Sequence, residues 1–112
     1  MLRFPEASIP ERAEFGVRVS GDSMEPVYHD GQIVWVQRCS ELEIGDVGIF
    51  VCDGEGYLKA YDEQEPGEDV RENYTDTEGR VHPQPVLVSY NEAYEPRVVS
   101  PYASFRIIGR VL

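Results

Sequence analysis

Short apolar-rich runs separated by polar turns follow one another along the whole chain. Residues 15–20 alternate apolar and polar positions, which predicts a half-buried strand. Further runs rich in β-branched and aromatic residues predict strands over 32–38, 47–52, 57–61, 86–90 and 105–112. Neither sustained helical periodicity nor an internal repeat is visible. We therefore predict a mostly β, sandwich-like or partly barrel-like fold with at most short helical turns.

The polar segments divide the chain into an arm and one domain. Residues 1–14 are polar and contain two prolines, which predicts an extended arm or a linker remnant. Residues 15–112 are enough for one compact domain. Within it, the acidic stretch 62–84 is predicted to be a long surface excursion, with one irregular hairpin around Gly79.

The charge balance argues against nucleic-acid binding by this domain. The chain has 10 basic and 21 acidic residues, a net charge of −11. Binding to phosphate backbones needs clustered Lys and Arg, so the domain itself is not expected to hold nucleic acid. No apolar run is long enough to span a membrane, and the N-terminus lacks signal-peptide features, so we expect a cytoplasmic protein without membrane contact.

The cysteines and histidines indicate neither a disulfide framework nor a metal centre. Cys39 and Cys52 adjoin apolar runs and are predicted to be reduced, buried residues of a cytosolic protein. His29 and His82 are far apart and have no other metal-ligating residues beside them. No metal and no cofactor are expected.

Ser23 lies where the first strand pattern breaks, in Ser20-Gly21-Asp22-Ser23-Met24-Glu25-Pro26. A turn permitted by glycine would expose the hydroxyl and direct neighbouring backbone N–H groups at the same point, as an acyl-transfer nucleophile requires. The same residue types also occur in ordinary turns and helix caps, and this segment alone favours that simpler interpretation.

A serine nucleophile needs a base, and Lys59 is the only lysine among the 10 basic residues. His29 and His82 lie in polar turns, which leaves a Ser-His-Asp triad as a weak alternative. In a strand, Tyr57 and Tyr61 share a face with Lys59. These rings either cover the stem of an exposed lysine or form a desolvated pocket, where burial lowers the pKa of the amine. An ordinary lysine needs about 4–5 kcal/mol to lose its proton at neutral pH, and a site that removes much of that cost makes it a general base.

These segments resemble the LexA-like S24 peptidases, which include LexA, UmuD-type proteins and the C-terminal domains of phage repressors. Val19-Ser20-Gly21-Asp22-Ser23-Met24-Glu25-Pro26 resembles their nucleophile segment, and Tyr57-Leu58-Lys59-Ala60-Tyr61 resembles their catalytic-lysine strand. Weaker likenesses to neighbouring strands and turns run through 30–34, 45–50, 89–96 and 105–111. A Ser-Gly-x-Ser-Met segment with a correctly spaced lysine is a specific pair, whereas either part alone is not.

The resemblance implies a site and a fold. Ser23 would attack the scissile carbonyl, with Lys59 as its base. The backbone N–H groups of Asp22 and Ser23 would form the oxyanion hole, and Met24 would pack beneath the site. The fold would be the bent β-sheet of LexA and the signal peptidases.

The resemblance also implies a function: an autoproteolytic and dimerisation domain at the C-terminus of a transcriptional repressor. Cleavage of a linker peptide bond in its own chain would relieve repression, as in the SOS response, with a RecA-type activator. A homodimer is expected, and an exposed edge of the last strand is a candidate for pairing with a second copy. In that strand Phe105, Ile107 and Val111 are predicted to share one face, with Ile108 on the other.

Two departures from the family pattern stand out. The chain contains neither the Ala-Gly nor the Cys-Gly dipeptide usually cleaved in the family, and the stretch 62–84 is longer than usual. We expect a truncated chain or a C-terminal cleavage product, with DNA contacted only through a missing N-terminal helix-turn-helix domain. One alternative is a non-catalytic dimerisation or sensing module of a phage-type repressor. Another, a signal-peptidase-like enzyme, is disfavoured because no membrane anchor is visible.

Overall fold

Seven antiparallel strands form one sheet in the computed structural model, which describes residues 9–112. They are β1 (Phe15–Arg18), β2 (Ile33–Arg38), β3 (Val47–Cys52), β4 (Glu55–Gln64), β5 (Gln84–Val88), β6 (Arg97–Val98) and β7 (Phe105–Val111). Their order, β1-β2-β7-β3-β4-β5-β6, leaves β1 and β6 as edges, so the sheet is open. The helical structure of residues 9–112 is one 3-10 turn over Arg71–Tyr74. The prediction of a mostly β fold is confirmed.

Burial along the strands follows their position in the sheet. In β2, Val34 and Val36 are buried while their neighbours are partly or fully exposed, which is the alternation of a strand with one covered face. In the central strand β3, the consecutive residues Gly48, Ile49 and Phe50 are all buried. A strand covered on both faces has this continuous apolar pattern.

Two apolar clusters form the core, on opposite faces of β3. The first is built around Val19, Val34, Val36 and Ile49. The second is built around Phe50, Tyr61, Leu87 and Val99. In the second, Phe50 stacks on Tyr61 and on Phe105, with ring centroids 6.2 Å and 5.8 Å apart. Such pairs add about 0.5–1.5 kcal/mol to the burial of the rings.

A β-bulge in β7 overturns the predicted alternation of the last strand. Ile49 pairs with Gly109 and Phe50 with Ile107, so Ile108 is the extra residue. Because of it, Phe105 and Ile107 pack on the second cluster, whereas Ile108 and Val111 pack on the first. The prediction that Val111 shares a face with Phe105 and Ile107 is therefore wrong.

Strand β4 is longer than predicted and changes partner midway. Its residues 55–60 pair with β3, and its residues 60–64 pair with β5. The first three residues of the acidic stretch therefore belong to a strand. The remainder contains the 3-10 turn and a bridge between Thr75 and Val81, which encloses the predicted hairpin turn around Gly79.

The cysteines differ in burial. Cys39 and Cys52 are both free, and Cys52 is buried as predicted, but Cys39 is only half-buried. Across residues 9–112, no helix has the length and apolar character needed to cross a membrane.

Candidate active site

The turn that carries Ser23 is fixed by hydrogen bonds to the segment leading into β2. Val19 donates to the Gln32 carbonyl at 2.7 Å, and the Gly21 N–H donates to Asp30 Oδ1 at 2.8 Å. Gly21 has a φ of 85°, a left-handed conformation that favours glycine. The chain can therefore bend sharply just before Ser23.

The Met24 side chain packs in the interior beneath this turn. Its side chain is 1% exposed and is among the largest fully buried side chains. Its carbonyl accepts from Val27 at 3.1 Å and from Tyr28 at 3.0 Å, which closes the turn. The hydroxyl of Ser23 is thus held at the surface by the buried residue that follows it.

Lys59 and Ser23 meet directly. Lys59 Nζ donates to Ser23 Oγ at 2.7 Å, a contact between residues 36 positions apart in the chain. Both side chains are half-buried. When the amine is neutral, the same distance allows the Ser23 hydroxyl to donate to the Nζ lone pair, as a nucleophile must to its base.

Burial lowers the pKa of Lys59 from the usual value of lysine. The centroid of the Tyr94 ring lies 5.7 Å from Lys59 Nζ. On the same strand, Leu58 packs on the first cluster, and Tyr57 and Tyr61 pack on the second. The alternation of β4 therefore separates Leu58 from the two tyrosines, as the strand pattern predicts.

The turn after β5 folds over the Ser23 turn and was not assigned a role from sequence. The Asn91 backbone N–H donates to the Ser23 carbonyl at 3.0 Å, and Asn91 Nδ2 donates to the Asp22 carbonyl at 3.1 Å. The Tyr94 hydroxyl donates to the Asp22 carboxylate. The resemblance in 89–96 was the only sequence signal for this segment, and it did not indicate these contacts.

One of these bonds also orients the Ser23 N–H, which is one of the two backbone groups predicted to form an oxyanion hole. The N–H and C=O of one trans peptide unit point in opposite directions. Asn91 therefore fixes the direction of the Ser23 N–H by holding the Asp22 carbonyl. Within residues 9–112, the N–H groups of Asp22 and Ser23 donate to no protein acceptor, so no protein group competes for them.

Ser23 and Lys59 open into one cleft of about 480 Å³. Its wall is formed by the Ser23 turn, by β4 and by the segment from the end of β5 to β6: Ser20, Gly21, Asp22, Ser23, Gly56, Tyr57, Lys59, Ser89, Tyr94, Glu95 and Arg97. Pairing of β4 with β5 starts only at Ala60. The edge of β4 that precedes Ala60 therefore has no strand partner on the β5 side among the described residues.

Neither histidine takes part in this cleft. His29 Nδ1 lies 3.3 Å from Glu25 Oε1, and His82 Nε2 lies 2.8 Å from Asp76 Oδ2 in the acidic stretch. Neither ring bonds to Ser23 or lines its cleft. Among the described residues, the geometry offers Ser23 a lysine as base and no histidine.

The chain was compared with families of known proteins. The family model described as Peptidase S24-like matches residues 1–71, which include both Ser23 and Lys59. No curated protein matches the chain.

Proposed function

This chain belongs to the S24 peptidase-like family, and we propose that it is a serine endopeptidase in which Ser23 is the nucleophile and Lys59 the general base. The observation that carries the proposal is the 2.7 Å contact between Ser23 Oγ and Lys59 Nζ at the base of an open cleft. A half-buried amine with a lowered pKa is the form of lysine suited to this role.

The reaction follows from these positions. Ser23 Oγ attacks the scissile carbonyl carbon while its proton passes to neutral Lys59 Nζ. The oxyanion that forms accepts from the backbone N–H groups of Asp22 and Ser23. The Lys59 ammonium then gives the proton to the leaving amine, and the C–N bond breaks. A water molecule then gives a proton to Lys59 and attacks the acyl-serine carbonyl; the ester C–O bond breaks, the Lys59 ammonium returns the proton to Ser23 Oγ, and the new acid leaves and ionises to the carboxylate.

We further propose that the substrate is a linker in the protein's own chain and that the protein is a cytoplasmic transcriptional repressor acting as a homodimer. The support is the likeness of residues 15–112 to the C-terminal domains of LexA-like repressors. DNA would be bound by a separate helix-turn-helix domain, and cleavage, promoted by a RecA-type activator, would separate that domain from this one. A net charge of −11 agrees with a domain that does not itself hold DNA.

The test is self-cleavage of the complete gene product. Incubation at pH 7 to 10 should produce two fragments, at a rate that rises with pH as Lys59 loses its proton. Ser23→Ala and Lys59→Ala should each abolish the fragments, while Arg80→Gln, a substitution on the acidic stretch, should not. A rate independent of protein concentration would identify cleavage within one chain.

The competing proposal, a non-catalytic dimerisation or sensing module, makes a different prediction. It requires no fragments at any pH, with or without a RecA-type activator. It also requires that Ser23 show no more reactivity toward a fluorophosphonate than an ordinary surface serine. Intact-mass analysis of the chain after incubation with the reagent distinguishes the two proposals.

A further inference from the structure

Arg97 is held at two points on the wall of the cleft. Its Nη1 donates to the Tyr57 hydroxyl at 2.8 Å, and its guanidinium carbon lies 4.9 Å from the centroid of the Tyr57 ring. The Tyr57 hydroxyl in turn donates to Glu55 Oε2 at 3.0 Å. An exposed arginine has many rotamers, so these contacts restrict where its positive charge lies.

The charges that line the cleft around Lys59 come from two parts of the chain. Asp22 belongs to the Ser23 turn, and Glu95 and Arg97 belong to the segment that runs into β6. The Asp22 carboxylate accepts from the Tyr94 hydroxyl. Among the described residues, neither Lys59 nor Arg97 has a carboxylate oxygen within 4.0 Å. Two cationic groups therefore share the cleft without a direct ion pair.

We propose that Arg97 is a positioning residue for the reaction, whose fixed positive charge adds to the effect of burial and favours the neutral form of Lys59, which accepts the Ser23 proton. This inference rests on the proposed function and adds a residue to it. A like charge nearby disfavours the ammonium form of a lysine. After burial, the charge of Arg97 is the second cause of the lowered pKa of Lys59.

A different role for Arg97 would be to bind an acidic side chain of the substrate. The cleft favours the electrostatic role, because Asp22 and Glu95 line the same wall and would repel a substrate carboxylate. The hydrogen bond to the Tyr57 hydroxyl also occupies one N–H of the guanidinium. The two roles differ in what they change: one changes the pH dependence of the reaction, the other changes KM.

Because Lys59 is the only lysine, its titration can be followed directly. In the chain labelled with 13C-lysine, the side-chain signal of Lys59 should shift with one midpoint, at a pH below the usual pKa of lysine. Arg97→Gln should move that midpoint to higher pH, and Tyr57→Phe, which releases the guanidinium, should move it in the same direction by less. Arg80→Gln, an arginine of the acidic stretch, should leave the midpoint in place, and Glu95→Gln should leave it or lower it.

Acylation of Ser23 by a fluorophosphonate measures the consequence for reactivity. At pH 7, Arg97→Gln should react about three- to tenfold more slowly than the unchanged chain, and the difference should vanish on the plateau at high pH. A merely structural role for Arg97 would lower the rate at every pH and leave the midpoint unchanged. Arg97→Lys should recover much of the rate at pH 7, since it restores the charge.

Two kinds of failure can be told apart. If the Lys59 signal titrates at the same pH in the Arg97→Gln chain and in the unchanged chain, the inference is overturned whether or not Ser23 reacts. If Ser23 is unreactive at every pH, the proposed function fails and this role of Arg97 fails with it. An altered KM for a cleaved peptide with an unchanged pH profile would assign Arg97 to substrate binding instead.

Discussion

Asn91 donates its backbone N–H to the Ser23 carbonyl at 3.0 Å, across the boundary between two turns that are distant in sequence. Its side chain adds a second bond to the neighbouring peptide unit, at the Asp22 carbonyl. The orientation of Ser23 is therefore set partly by a residue outside its own turn. A change at Asn91 that leaves the rest of the cleft intact should disturb the geometry of the nucleophile.

Replacing Asn91 tests this dependence. Asn91→Ala removes the bond to the Asp22 carbonyl and the bond from the Ala93 N–H, while the backbone bond to Ser23 remains. We expect about a tenfold slower acylation of Ser23 and a loss of about 1 kcal/mol in stability. Asn73→Ala, an exposed asparagine of the 3-10 turn, is the matched control. Equal acylation rates for the two variants would show that the turn after β5 does not position Ser23.

Met24 should be needed for stability. Met24→Ala removes a fully buried side chain and should cost about 2–4 kcal/mol in free energy of unfolding. Met24→Leu conserves most of the volume and should cost less than about 1.5 kcal/mol. Urea denaturation of both variants measures the difference. If the two costs are equal, Met24 does not serve as a packing anchor under the turn.

Lys59 should lower the stability of the folded chain at neutral pH. Its pKa is lower in the folded chain than in the unfolded chain, so the unfolded chain binds more protons between those two values. The stability of the unchanged chain therefore rises with pH across that window. Lys59→Met should be more stable below it, by up to roughly 1 kcal/mol because water screens the half-exposed amine.

The pH dependence of that difference is the sharper test. The advantage of Lys59→Met should be full at pH values below the folded pKa and should shrink as pH approaches the usual range of lysine. Denaturant titrations at pH 6, 8 and 10 would measure it. An advantage that stays constant with pH would mean that desolvation of the amine is not its source.

Two strand glycines should respond differently to an added methyl group. A Cβ at Gly109 would lie 2.5 Å from Val36 Cγ1 and 2.6 Å from the Gln37 carbonyl oxygen, so Gly109→Ala should cost about 2–3 kcal/mol. A Cβ at Gly56 would meet no atom within 4 Å, and Gly56→Ala should change stability by less than about 0.5 kcal/mol. Melting temperatures of the two variants would check this contrast. Similar values would argue against the close approach of β2 and β7 at Gly109.

The strands could be predicted because their signal is local. Alternation in β2 and the apolar run of β3 follow from which faces are covered, and the sequence contains that information directly. The placement of Tyr57 and Tyr61 on one face of β4 likewise follows from the two-residue period of a strand. The extension of β4 through Gln64 was missed because its last residues, Asp62, Glu63 and Gln64, are polar and look like part of the acidic stretch.

The contacts of the candidate site that the sequence did not predict depend on which turns pack against each other. Nothing around Asn91, Tyr94 or Arg97 indicates that this turn lies on the Ser23 turn, since their contacts span 40 to 72 positions of sequence. The strand β6 has two residues, too few for any period to be visible. Long-range packing of irregular segments leaves little trace in a single sequence.

The bulge at Ile108 reverses which face of the sheet each later side chain of β7 occupies. Before it, Phe105 and Ile107 face the second cluster; after it, Val111 faces the first cluster, on the face where uninterrupted alternation would place Arg110. Deleting Ile108 would restore a regular strand that still places Phe105 and Ile107 on one face and Val111 on the other, and the first cluster would lose the Ile108 side chain. An alignment that treats β7 as a strand of uniform period would therefore assign the residues that follow Ile108 to the wrong faces.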